Sequence, residues 1–303
     1  MISRDASRFP LLGGLLVSLA LAAPVFALQL PGQLVRAGEH KLWISCAGMG
    51  SPTVVIDVGI GGDPREWTRV VDDLRADVRV CQYERAAYGA SEPGPFPRDA
   101  RREGEELLAL LRNAGEKPPY LLAGQGLGAL NAYVLAGSHA KLLAGLALFA
   151  PPPLAWLAGD GWQGVRDRAP KETAHLKNVA QKLAASSLEA DKNRAPRFLA
   201  MASENESLFS SSAKQAAAVK SLGALPLLVV GAALPNPILG ADAVPFEKYT
   251  VEENRKLAAK SSRGEFVLFD DSGPMVHHDA PARVVESLRT LLSRVRASEA
   301  KRP

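Results

Sequence analysis

Gly124-Gln125-Gly126-Leu127-Gly128 has the spacing of a reactive turn and lacks the reactive atom. The apolar run Tyr120-Leu121-Leu122-Ala123 before it reads as a buried strand, and Ala129 to Ala136 after it reads as a helix. Small residues let the chain turn sharply between the two. A strand–turn–helix with Gly-x-Ser-x-Gly at the turn exposes a serine hydroxyl for attack on a carbonyl. The central residue here is Gly126, which has no side chain and cannot attack. Groups able to move a proton gather in Asp271-Ser272-Gly273-Pro274-Met275-Val276-His277-His278-Asp279. His277 or His278 could act there as general base toward a bound water. The plainer assignment of both is a helix start or the surface. A His-His-Asp metal site finds no further ligand at a recognisable spacing, so neither a metal nor a cofactor is expected.

The elements that must position these residues alternate along the chain. Leu42–Cys46, Pro52–Val58, Val78–Tyr83, Tyr120–Ala123, Gly145–Phe149, Pro226–Gly231 and Glu265–Phe269 read as strands. Glu66–Leu74, Ala100–Asn113, the stretch after Gly128 and Pro281–Val295 read as helices. Apolar runs of this length alternating with helices predict an α/β fold with a mostly parallel, doubly wound sheet. Residues 151–223 break the alternation: they are rich in Ala, Lys, Glu and Ser, helical in character, and open on Pro151-Pro152-Pro153. They form an expected insertion between core segments 28–150 and 224–303.

Residues 1–27 read as a signal peptide, with Arg4 and Arg8 ahead of an apolar run and cleavage expected after Ala27. An uncleaved anchor is the alternative reading of the same stretch. No later segment is apolar enough to span a bilayer, so no membrane span is expected once the signal is removed. The expected location is outside the cytoplasm, periplasmic or secreted. At 47% hydrophobic and 22% charged, the chain has the balance of a globular protein with a buried core. The net charge of +4 is scattered, with a small cluster at Arg294, Arg296, Lys301 and Arg302, which reads as a solvated tail. A nucleic-acid partner would need a concentrated basic face, and none is expected.

Three further motifs fall in order with the glycine turn. Ser51 to Gly62 resembles the third strand and oxyanion loop of bacterial α/β hydrolases. Val80 to Ser91 resembles that family's Tyr-Asp-Arg-x-Gly-x-Gly-x-Ser turn, with Glu84 in place of Asp and Ala87 in place of Gly. Asp271 to Pro281 resembles its histidine loop. The resemblance covers residues 38–295 and implies the α/β-hydrolase fold, with 151–223 as a helical cap. It makes Gly124–Gly128 the nucleophile elbow, with Gln125 where a histidine often precedes the serine. It puts Gly126 at the nucleophile position and Pro274 at the base position. The acid of the family follows the sixth or seventh strand, where this chain has Ala150-Pro151-Pro152 and Ala232-Ala233-Leu234-Pro235-Asn236. The family's oxyanion donors correspond to the amides of Ile60 and Leu127, which could still cradle a carbonyl or an anion. Strands two and four are neighbours in that fold, so Cys46 and Cys81 come close enough to pair in an oxidising compartment.

The expected function follows from what is absent. An α/β-hydrolase-fold protein without its triad is expected to bind a small-molecule ligand or a protein partner without hydrolysing it, as neuroligin-like members of the family do. Trp67, Trp156, Trp162 and Phe198 are the aromatic candidates for lining its pocket. The alternative is an esterase-like hydrolase using other residues, His277 and His278 first. A scaffold role without any ligand is the third reading.

Overall fold

A computed structural model describes residues 32–299 of the protein. The expected signal peptide over 1–27 lies outside the described residues. The strands are β1 (Gln33–Ala37), β2 (His40–Ala47), β3 (Thr53–Asp57), β4 (Val80–Tyr83), β5 (Tyr120–Gln125), β6 (Leu143–Phe149), β7 (Leu227–Ala232) and β8 (Gly264–Phe269). They form one eight-stranded sheet in the order β1-β2-β4-β3-β5-β6-β7-β8. The β1–β2 and β2–β4 pairs are antiparallel, and every pair from β4 through β8 is parallel. The expected mostly parallel, doubly wound sheet is therefore what the chain forms.

The inner strands β3, β5, β6 and β7 are buried along their whole length, which is why they read as continuous apolar runs. Alternate side chains serve opposite faces. Val55, Leu122, Leu146 and Leu148 pack on one side with helices α2 (Ala100–Asn113) and α3 (Leu127–His139). Val54, Ile56, Leu121, Ala147 and Phe149 pack on the other with α1 (Thr68–Leu74) and α12 (Pro281–Glu299). On α12 the buried stripe is Val284, Leu288, Leu291 and Val295, spaced as one face of an amphipathic helix.

Between β6 and β7 run α4 (Leu154–Leu157), α5 (Gln163–Arg166), α6 (Arg168–Ala184), α7 (Glu189–Lys192), α8 (Ala195–Leu208) and α9 (Ser211–Ala218). Asn205 of α8 donates to the Ala169 carbonyl and to Thr173 Oγ1 of α6, pinning those two helices together. The Ser212 hydroxyl accepts from the Ala100 amide, which ties α9 to the start of α2. Between β7 and β8 lies α10 (Ala243–Ala258), and between β8 and α12 lies α11 (Val276–Asp279). Among the described residues, no helix is long and apolar enough to cross a membrane.

Cys46 and Cys81 face each other in the β2–β4 register and are joined by a disulfide, as the strand order led us to expect.

Candidate functional site

The turn at Gly124–Gly128 is as tight as its glycines suggest. A Cβ on Gly124 would sit 2.3 Å from the Gly128 carbonyl oxygen, and one on Gly128 would sit 2.2 Å from that of Asp57. Only glycine allows this approach of β3, β5 and α3. Gly126 itself has φ 56° and ψ −115° and forms the N-cap of α3, with its amide donating to the Phe149 carbonyl at 3.0 Å. The Leu127 N–H is therefore at the first helical position, where no intrahelical acceptor exists.

Three loops meet at this turn, and one side chain links them. The Oε1 of buried Gln125 accepts from the Gly59 amide at 3.1 Å, while its Nε2 donates to the Pro274 carbonyl at 3.0 Å. The loop after β3 is held further by Arg85, which donates to the Val58 and Gly59 carbonyls at 2.6 and 2.9 Å. Arg85 also pairs with Asp57 at 2.8 Å and with Glu204 of α8 at 3.0 Å. The Tyr88 hydroxyl donates to Glu204 at 2.5 Å and accepts from the Gly61 amide at 3.2 Å. Burial and the adjacent Glu204 charge push the Glu103 carboxyl at this network well above the usual carboxylate range. Ile60 lies in the same loop, half-buried against the core. On the far loop, Asp279 accepts from the Gly273 amide at 2.9 Å and so closes the turn that carries Pro274.

Gly126 and Pro274 line one cavity of about 190 Å³. Ala150–Pro153 after β6, and Ala232 and Asn236 after β7, line it as well. Gly126, Pro274 and the segments after β6 and β7 thus converge on one cavity. The Asn236 amide is used locally, its oxygen accepting from the Ile238 amide.

Apart from Trp156, the remaining wall comes from residues that the sequence did not single out. Glu247, Thr250 and Asn254 of α10 face the cavity. Their spacing of three and four puts them on one helical stripe. Asn254 is 1% exposed, and neither of its side-chain polar atoms has a hydrogen-bond partner. The Trp156 indole nitrogen, also in the wall, is buried without a partner. Burial pushes the Glu247 carboxyl up to about 7.

Of the four aromatic candidates, only Trp156 lines this cavity. Trp67 lies under the opposite face of the sheet, edge-on to Phe149 and stacked on His277 at 4.7 Å. Trp162 packs on Phe246 and Tyr249. Phe198 is half-buried on α8, away from the cavity wall. His277 and His278 are also absent from that wall. They face Glu66, and burial, reinforced by the neighbouring His278 charge, pulls His277 down to about 4.

This fold and turn define a class, and the family model agrees. Residues 54–287 match the alpha/beta hydrolase family, and the chain belongs to that family. Among solved structures, it is similar to a probable hydrolytic enzyme from Pseudomonas aeruginosa PAO1 (TM-score 0.67, 18% identity, 87% of this chain and 95% of that one). It is also similar to a thermophilic esterase from Thermogutta terrifontis (TM-score 0.60, 18% identity, 88% of this chain and 99% of that one). Among curated sequences it is 29% identical over 104 residues to the uncharacterized protein YqjL of Bacillus subtilis. That match covers 34% of this chain and 41% of YqjL, so the chain spans under half of that relative.

Proposed function

We propose that this protein is an exported, non-hydrolytic member of its family, which binds a small molecule in the cavity beneath the elbow, with residues 151–223 as its cap. The observation that carries this reading is the cavity wall. Where acyl-transfer chemistry needs a hydroxyl, an imidazole and a carboxylate, it presents Gly126, Pro274 and Asn236. In their place it presents buried polar groups without protein partners, on Asn254 and Trp156. Leaving such groups unpaired costs about 1–3 kcal/mol each, a cost that a bound ligand with complementary donors and acceptors removes. The disulfide supports export, because such bonds persist in oxidising compartments.

Glu247 favours a second reading. A carboxyl titrating near 7 inside a pocket is suited to general acid–base work, and it would make the protein a hydrolase with non-standard residues. Hydrolysis of short-chain p-nitrophenyl esters by the purified protein separates the two. The proposed reading expects no turnover approaching about 1 s⁻¹, the low end of ordinary enzyme rates. Turnover at that rate, lost in Glu247→Gln, establishes the second.

A further inference from the structure

Glu66 lies in a short 3-10 turn, Pro64–Trp67, that follows the loop after β3. The fold brings it to His277 and His278 on α11, which the sequence places far downstream. His277 Nε2 is 3.7 Å from Glu66 Oε2, and His278 Nε2 is 3.9 Å from the same oxygen. One ligand atom from each of the three residues can be chosen so that all lie within 4.8 Å of one another.

These separations are too long for hydrogen bonds, which need about 2.7–3.2 Å. They suit ligands that share an ion. Bonds of about 2.0–2.1 Å to a tetrahedral cation set its donor atoms about 3.4 Å apart, so each histidine nitrogen need approach Glu66 by only a few tenths of an ångström, with the two histidine nitrogens starting no more than 4.8 Å apart. His277 is the independent sign of a missing partner. It is 4% exposed, both ring nitrogens are buried, and neither has a hydrogen-bond partner. Its ring is held between Trp67 at 4.7 Å and His278 at 4.4 Å, so its direction is fixed before any ion arrives. Glu66 and His278 are each partly exposed, which leaves a path from solvent and a free coordination position for water.

We propose that Glu66, His277 and His278 bind one borderline divalent cation, with Zn²⁺ as the best fit. Two imidazoles and one carboxylate suit Zn²⁺, Cu²⁺ or Ni²⁺, and disfavour Ca²⁺ and Mg²⁺, which prefer all-oxygen shells. The ion would join the loop after β3 to the loop after β8. This site is separate from the cavity, and the proposal does not depend on what the cavity binds. The cysteines cannot compete for the ion, because both are held in the disulfide.

The test uses untagged full-length protein, stripped with chelator and titrated with ZnCl₂ by calorimetry and with CoCl₂ by visible absorption. The expected result is one equivalent of each metal, with cobalt bands of a low-coordinate nitrogen–oxygen site. Even an outer-shell partner is worth about 10–100-fold in metal affinity, so loss of a ligand in Glu66→Gln or His278→Ala should weaken binding by more than about 10-fold. Both side chains are partly exposed, and circular dichroism should show each variant folded. His277→Ala is not relied on, because it removes a buried ring stacked on Trp67. The proposal is overturned by the absence of saturable binding. It is equally overturned if binding stays unchanged in both folded variants, which would put the ion elsewhere.

Discussion

Replacing Glu247 with glutamine should stabilise the protein at alkaline pH and leave it unchanged at acid pH. Burial in the cavity wall holds this carboxyl up at about 7, against 4.5 for a free glutamate. Below about pH 4.5 the group is protonated whether the chain is folded or not, so its ionisation costs nothing. As pH rises, the unfolded chain ionises first and gains free energy that the folded chain cannot match. Stability is therefore fully present below 4.5, falls as pH climbs through about 7, and levels off above it. At about 1.4 kcal/mol per pH unit, the gap between 4.5 and about 7 comes to about 3 kcal/mol. That is a large part of the roughly 5–15 kcal/mol that holds a domain folded. Glutamine keeps the shape and cannot ionise, so the variant should match the parent at about pH 3, well below the unfolded value, and exceed it by up to about 3 kcal/mol at pH 8.5. Urea unfolding of the oxidised protein reads this directly, as a midpoint shift on the order of 1 M at the higher pH. The reasoning fails if the difference between the two proteins is the same at both pH values. It also fails if the variant is the weaker one at pH 8.5, for then the carboxylate has a partner in the folded chain.

Two other substitutions probe the neighbouring groups. Gly126→Ser should fold, because the added Cβ meets only the Gly59 Cα, at 3.7 Å, although φ 56° costs a non-glycine residue about 1–3 kcal/mol. It should not hydrolyse p-nitrophenyl acetate faster than the parent, since Pro274 offers no base; a 100-fold gain would mean that another group takes the proton. Glu204→Gln leaves buried Arg85 short of a counter-charge and should lower stability by about 3–5 kcal/mol in thermal or urea unfolding. A loss under about 1 kcal/mol would show that Asp57 and Glu103 suffice.

The sheet and the elbow were legible because buried parallel strands leave long apolar runs, and because close backbone approach admits only glycine. Gly124 and Gly128 are examples whose neighbours can be named from the structure. Pairing of Cys46 with Cys81 followed from the strand order that the family resemblance implies. The polar half of the cavity was not legible. Glu247, Thr250 and Asn254 sit on an amphipathic helix, where polar residues ordinarily mark the solvent side. Only the fold shows that this stripe faces inward. Trp67 was misplaced for a related reason. Bulk and apolarity say that a tryptophan is buried, but not under which face of a sheet, and Trp67 packs beneath the one opposite the cavity. Glu66 lies too far from the histidines in sequence for any spacing rule to join them.

The disulfide between residues 46 and 81 closes a covalent ring. The ring contains all of β3, the Gly59–Gly62 loop, Glu66 and α1, so this segment of the fold belongs to a circle rather than to a thread. A protease that cuts once inside the circle opens it without dividing the molecule. The nicked protein would gain only the mass of one water and migrate as one species until a reductant releases two fragments. Until reduction, this part of the fold can lose its continuity and still keep its place.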